Sequence, residues 1–282
     1  MKTSIIKHLV VSLWVIVYAV STVLALPVQP AAAAESPFPQ LNLPSNWAEV
    51  ACKMPVLTQF TKRWVFIMNF DMTVNDGYGL PHPIGCMKWL YSGADNTNSP
   101  VYPVVCNISG RPKGVTIANG QAVFNGTGFI LCPFELMGRF TQNNLDLYDN
   151  FWIRTKGSFA ASTGNYGNPI FYHADAAYFA PTGTTVSFLS KFGNWEFKSE
   201  MGARAWTPLT LFSLHSKETG GYNVKHYRSD RLTLAGYSNY PDKIQLNTAT
   251  TPVYIGYSPL SSGLLKGIIE ELIVDPAAGM GN

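Results

Sequence analysis

From Trp64 onward the chain is a succession of short runs rich in β-branched and aromatic residues, cut apart by turn formers at close intervals. Residues 64–70 form the first run. Beyond Val101 come 101–107, 115–117, 122–124, 129–132, 151–155, 170–173, 184–189, 195–198, 209–214, 222–227, 232–235, 243–246, 253–257 and 264–274. Gly164-Asn165-Tyr166-Gly167-Asn168 and Thr219-Gly220-Gly221 are typical separators. Such spacing marks a β-sandwich or barrel. Only residues 263–274 offer apolar positions at helical spacing, through Ile268, Leu272 and Ile273. That stretch also alternates, ends in β-branched residues and holds Gly267, which weakens a helix, so it is predicted to be a strand. Residues 35–60, with Pro37, Pro39, Pro44 and Pro55, are expected to lie extended on the surface. Residues 71–100, rich in Gly, Pro and Asn, are expected to be irregular.

Lys2 and Lys7 precede an apolar run from Leu9 to Leu26, closed by Pro27 and Pro30, and Ala32-Ala33-Ala34 follows. A basic start, an apolar centre and a small-residue exit describe a secretory signal peptide over 1–34. The competing reading is an uncleaved anchor. Cleavage after Ala34 would leave 248 of the 282 residues, ample for one core, and no later segment is apolar enough to span a membrane. Loss of the two lysines takes the formal charge from +3 to +1. That balance excludes a general polyanion binder, so no nucleic-acid partner is expected.

Cys52, Cys86, Cys106 and Cys132 all follow the signal segment. An even count in an exported chain points to disulfides, and four cysteines allow three pairings. Sequential pairing, Cys52–Cys86 and Cys106–Cys132, closes short loops and is the expectation. Spacings of 34, 20 and 26 fit no zinc pattern.

Two separated stretches carry a family resemblance. Ala122, Phe124 and Gly126, then Phe129, Leu131 and Pro133, then Phe151 and Ile153 stand in one order; Tyr254-Ile255-Gly256 and Gly267-Ile268-Ile269-Glu270-Glu271-Leu272 stand near the end. Together they resemble the opening and closing strands of the laminin-G-like, concanavalin A-like lectin and glucanase superfamily. Ala205-Trp206-Thr207 is similar to its mid-domain tryptophan strand, while Trp152 and Arg154 depart from the pattern around Ile153, and Glu270 stands where the family usually has Asp. The resemblance covers roughly 118–276. It implies a jelly-roll β-sandwich over 118–277, with 35–117 as an N-terminal region that either adds edge strands or forms a separate unit.

The resemblance also directs attention to paired carboxylates on one strand, since alternation puts residues i, i+2 and i+4 on one face. Glu196-Phe197-Lys198-Ser199-Glu200 has the spacing, but Lys198 occupies the central acidic position. A cation there holds both glutamates ionised, against the needs of a general acid. A solvent-facing charge ladder is the simpler expectation. His173 with Asp175, and His215 with His226 across a hairpin, are pairs without a third ligand. No zinc helix, nucleophile elbow, phosphate loop or EF-hand occurs.

No cofactor is required by these residues. Family relatives often hold Ca²⁺ in rim loops, and Asp146, Asp149 and Asn150 are the candidate ligands. Tyr166 between Asn165 and Asn168, and Tyr237 and Tyr240 flanking Asn239 with Asp242 behind, offer rings beside amides and acids, the chemistry of a shallow glycan site. Asn107-Ile108-Ser109 and Asn125-Gly126-Thr127 are glycosylation sequons. The expectation is an exported, non-catalytic binder of a glycan or cell-surface component. The alternatives are a glycoside hydrolase or polysaccharide lyase using Glu196 and Glu200, and a structural surface-layer module.

Overall fold

The computed structural model of the chain describes residues 42–54, 63–76, 78–90, 100–110, 113–133, 150–173, 176–218, 221–229, 233–240 and 252–274. The signal segment, Asp146, Asp149, Asp175, Asp242 and the run at 243–246 lie outside these residues.

Among the described residues a short helix, α1 (Trp47–Ala51), precedes the strands β1 (Arg63–Met68), β2 (Thr73–Asn75), β3 (Pro81–Leu90), β4 (Val101–Val105), β5 (Asn107–Gly110), β6 (Val115–Ala118), β7 (Gln121–Asn125), β8 (Gly128–Cys132) and β9 (Asn150–Phe159). Then come β10 (Pro169–His173), β11 (Ala176–Phe179), β12 (Val186–Phe192), β13 (Trp195–Ala203), β14 (Leu209–Glu218), β15 (Gly221–Arg228), β16 (Thr233–Tyr240), β17 (Val253–Ile255) and β18 (Lys266–Val274). Among the described residues they make two antiparallel sheets. The larger has 11 strands on the path β16-β15-β14-β9-β18-β1-β3-β2, with β4, β6 and β7 attached. The smaller has 7, ordered β13-β12-β11-β10-β17-β8-β5. The all-β expectation therefore holds, and the 264–274 run is strand from Lys266 onward.

β18 is central. Its first half pairs with β7 on one side and β9 on the other; its last residues pair with β1 on the side β7 has left. A bulge between Ile269 and Glu271 resets the alternation. Strict alternation puts Ile268 with Leu272 and Val274 on one face; the bulge instead sends Ile269, Leu272 and Val274 into one core. That core joins Phe66, Phe124, Ile153 and Leu211 of the larger sheet to Ile130, Phe171, Tyr178, Phe188 and Ile255 of the smaller one, as facing layers require.

Gly256 has φ +83, and a Cβ there would stand 2.5 Å from the Phe124 ring. Only glycine permits this approach between β7 and the turn that follows β17.

A second apolar layer covers the outer face of the larger sheet. Val65, Ile67, Trp152, Phe212 and Ile273 are buried there with Cys52 and Cys86, and Trp47 and Ala48 of α1 pack against them. The extended leader expected at 35–60 is thus corrected over its described part, 42–54: α1 is docked, Ala51 is buried, and the Cys52–Cys86 bond fastens it to β3 with Cα atoms 5.1 Å apart. Cys106–Cys132 ties β8 to the residue between β4 and β5. Each closed loop contributes about 3 kcal/mol in the chain-entropy account.

The expectation that 71–100 is irregular is also corrected, over 73–75 and 81–90; residues 91–99 lie outside the described residues. β3 runs through Pro81 and Pro83, whose missing N–H groups disguise it. Over Ile84–Lys88 it pairs with β4, and over Cys86–Leu90 with β1. Gly85 lets it pass close to β1, since a Cβ would lie 2.9 Å from the Ile67 carbonyl oxygen.

Where the free edges of β13 and β16 approach, the interior turns polar. His226 is fully buried, with Nε2 2.7 Å from Ser190 Oγ and Nδ1 2.7 Å from Ser199 Oγ. Ser190 Oγ is 3.0 Å from Ser213 Oγ. The Phe188 and Phe197 rings flank the imidazole at 4.7 and 4.5 Å between centroids. Burial pushes the His226 pKa down to about 3, against a slight rise from the Phe188 backbone.

Two outcomes are expected. Gly256→Ala should destabilise the fold by roughly 2–4 kcal/mol in urea unfolding, combining left-handed strain with overpacking. For His226, the unfolded chain takes up the proton first. Its contribution is therefore complete above the unfolded value of 6.5 and declines as pH falls toward about 3, at about 1.4 kcal/mol per pH unit. His226→Asn should remove that part of the slope in unfolding measured between pH 7 and 4.

Candidate functional site

The chain crosses between or within sheets at one end of the sandwich through the segments 160–168, 180–185, 204–208 and 256–265. Asn168 gathers three of them. Its φ is +50, a conformation asparagine tolerates, and it is buried. Its amide nitrogen donates to the Ala160 carbonyl at 2.7 Å and the Ala180 carbonyl at 3.2 Å, and its amide oxygen accepts from the Lys266 N–H at 3.3 Å. Ser162 then zips the first segment to the second: its N–H donates to the Thr182 carbonyl and its hydroxyl accepts from the Thr182 N–H at 2.9 Å. Sequence alone marks Asn168 only as a turn former before Pro169.

Held in this way, residues 161–167 lie over the outer face of β11, β12 and β13. The Tyr166 ring packs on Phe179 at 5.1 Å, and its hydroxyl donates to Glu196 Oε2 at 2.7 Å. Lys191 Nζ is 4.0 Å from the same carboxylate oxygen and 6.0 Å from the ring centre. The bond to Glu196, with burial adding to it, raises the Tyr166 pKa. Lys198 Nζ donates to Asn165 Oδ1 at 3.4 Å.

Glu196, Lys198 and Glu200 form an outward ladder, while Phe197, Ser199 and Met201 turn inward. Thr185 and Ser187 hydroxyls both donate to Glu200, the latter at 2.9 Å. Thr185 is the main cause that holds Glu200 below the usual glutamate range; partial burial opposes it, and Ser187 and the Lys198 charge add to it. A carboxylate so held accepts hydrogen bonds and does not donate a proton near neutrality. A cleft of about 230 Å³ runs between the loop and β13, lined by Ser162, Asn165, Thr185, Lys198 and Glu200. A second, of about 530 Å³, lies between residues 161–168 and 260–266.

The sequence-derived candidates therefore divide. Tyr166, Glu196 and Glu200 come together around the loop. Tyr237 lies elsewhere, 58% exposed on β16 and opposite Lys225; Tyr240 ends the same strand opposite Tyr222. His215 and His226 lie on facing strands, His215 opposite Val224 and His226 opposite Ser213, both buried. His173 is buried at the end of β10. Among the described residues no three His, Cys, Asp or Glu side chains are grouped to hold a metal ion.

Trp206 corrects another expectation. It stands in a turn rather than a mid-domain strand: the Thr207 N–H donates to the Arg204 carbonyl at 3.1 Å, the Trp206 N–H donates to the Phe159 carbonyl at 2.8 Å, and φ is +63. Such turns favour glycine at this position, and a bulky residue there costs about 1–3 kcal/mol.

No protein-family model and no curated protein matches this chain. Solved structures similar in part include the following two. One is domain 4 of AbnA, a GH43 extracellular arabinanase from Geobacillus stearothermophilus, in complex with arabinotriose; the TM-score is 0.40 at 16% identity, covering 62% of this chain and 86% of that one. The other is the CBM2 module of Lactobacillus casei BL23 phage J-1 evolved Dit, with a TM-score of 0.32 at 9% identity, covering 77% of this chain and 98% of that one. Similarity at this level carries no argument about fold or activity.

Asn168→Ala should cost about 2–4 kcal/mol, because it frees two buried carbonyls and meets left-handed strain. Hydrogen exchange should then rise in 160–168 and 180–185 while β18 stays protected.

Proposed function

We propose that the protein is an exported, non-catalytic β-sandwich that binds carbohydrate at its loop-bearing end, on a concanavalin A-like jelly-roll plan. The carrying observation is the Tyr166 ring, fixed by Phe179 below and Glu196 at its hydroxyl, beside a cleft rimmed by amide, hydroxyl, ammonium and carboxylate groups. A ring immobilised before binding loses little entropy on stacking against the apolar face of a sugar. The surrounding groups supply the donors and acceptors that hydroxyls need.

The lowered Glu200 pKa supports binding over hydrolysis. Inverting and retaining hydrolases alike need one carboxyl that carries a proton, and Lys198 stands between the two glutamates. Export is supported by the basic-apolar-small N-terminal pattern and by two disulfides, which persist in oxidising compartments. Ca²⁺ at Asp146 and Asp149 is not required by this reading.

Affinity electrophoresis of the protein through gels containing β-glucan, xylan, arabinan or galactomannan tests the proposal. At least one polysaccharide should retard it, and Tyr166→Ala should weaken that interaction about tenfold, close to 1.4 kcal/mol. No reducing sugar should be released from any of them. Release that disappears in Glu196→Gln would instead establish a hydrolase.

A further inference from the structure

Two aromatic residues among the described positions have positive φ, and they differ in one respect. Phe70, at φ +59, is buried in the main core, so packing offsets its backbone strain. Trp206, at φ +63, is 51% exposed and joins none of the buried apolar clusters. Glycine would satisfy the turn without strain. The fold therefore gains nothing visible from the indole, and its presence calls for another cause.

The position supplies one. The Trp206 N–H is held by the Phe159 carbonyl, next to Ala160, whose own carbonyl is held by Asn168. The tryptophan is thus fastened to the base of the loop that carries Asn165 and Tyr166. Arg204, Thr207 and Pro208 around it are exposed. The two clefts flanking that loop are lined by the hydroxyl and amide groups of Ser162, Thr163, Asn165 and Thr185 together with the charged ends of Lys198, Glu200 and Lys266. A flat exposed indole at the base of a loop whose clefts offer donors and acceptors suits a ligand with an apolar C–H face and a hydroxylated edge.

From this attachment to the loop base we infer that Trp206 is a stacking residue for a pyranose or furanose ring, extending the Tyr166 site across the loop end. The inference rests on the carbohydrate-binding reading and adds a second, independent stacking residue to it. Strain is retained at Trp206 because the turn holds the indole outward in a fixed direction.

Trp206→Gly and Trp206→Asn both accept the turn conformation. Each should leave Tm unchanged or raise it, while retardation in the polysaccharide gels falls at least tenfold. Adding the retarding polysaccharide to the wild type should quench or blue-shift the tryptophan emission, and this change should be missing from both variants. Undiminished retardation of the variants would overturn the role of Trp206 and leave the Tyr166 reading standing. A fall in Tm in both variants would show that the indole supports the fold, and would overturn the inference too. Absence of retardation of the wild type by every polysaccharide would overturn the reading beneath it, and the inference with it.

Discussion

The structure depends on the burial of β18 between two layers. Ile269, Leu272 and Val274 face the smaller sheet, and the strand bonds β7, β9 and β1 along its length. Because the alternation of a strand has a period of two, a slip of one residue would expose this set. The bulge after Ile269 is what allows all three residues to face inward, and Gly256 is what allows the preceding turn to close on Phe124. Burial of each such side chain is worth about 1.5–3 kcal/mol, so few other contacts compete with it in fixing the layers.

With that centre fixed, the loop-bearing end can carry conformations that regular strands exclude. Asn168, Trp206, Gly126, Gly164, Gly202 and Gly256 all have positive φ there. Asn168 converts three separate crossings into one body through its side-chain amide. Tyr166 is then presented over β11–β13 with its ring and hydroxyl both engaged. Loops held by a rigid scaffold are where strained conformations can be maintained, because the surrounding structure over-determines them. The opposite polar element, His226 with its serines, is interior and fully enclosed; it fixes how the sheet edges meet and offers a ligand nothing.

The strand runs were legible where alternation was clean. Ala122–Phe124, Phe129–Cys132, Leu209–Leu214 and the β18 run stand out through side chains that answer one buried face. β3 was hidden by Pro81, Pro83 and Gly85, residues that ordinarily signal turns and here adapt a strand to two neighbours. β11 was hidden because Ala176 and Ala177, though buried, carry little β or apolar signal in the sequence. Trp206 resembled a buried strand tryptophan by its neighbours in sequence, but its conformation is set by Phe159, which lies far away along the chain. The Glu196-to-Glu200 ladder was legible as outward-facing; its partners Tyr166, Thr185 and Ser187 were not, since they arrive by tertiary contact.

The central claim is that carbohydrate meets this fold at its loop end. Hydrogen–deuterium exchange of the protein with and without a retarding polysaccharide addresses it directly. The account predicts slowed exchange in peptides covering 160–168 and 204–208, with β14–β16 unchanged. Protection confined to β15 and β16 around Tyr237, or spread over the outer face of the larger sheet, would contradict it.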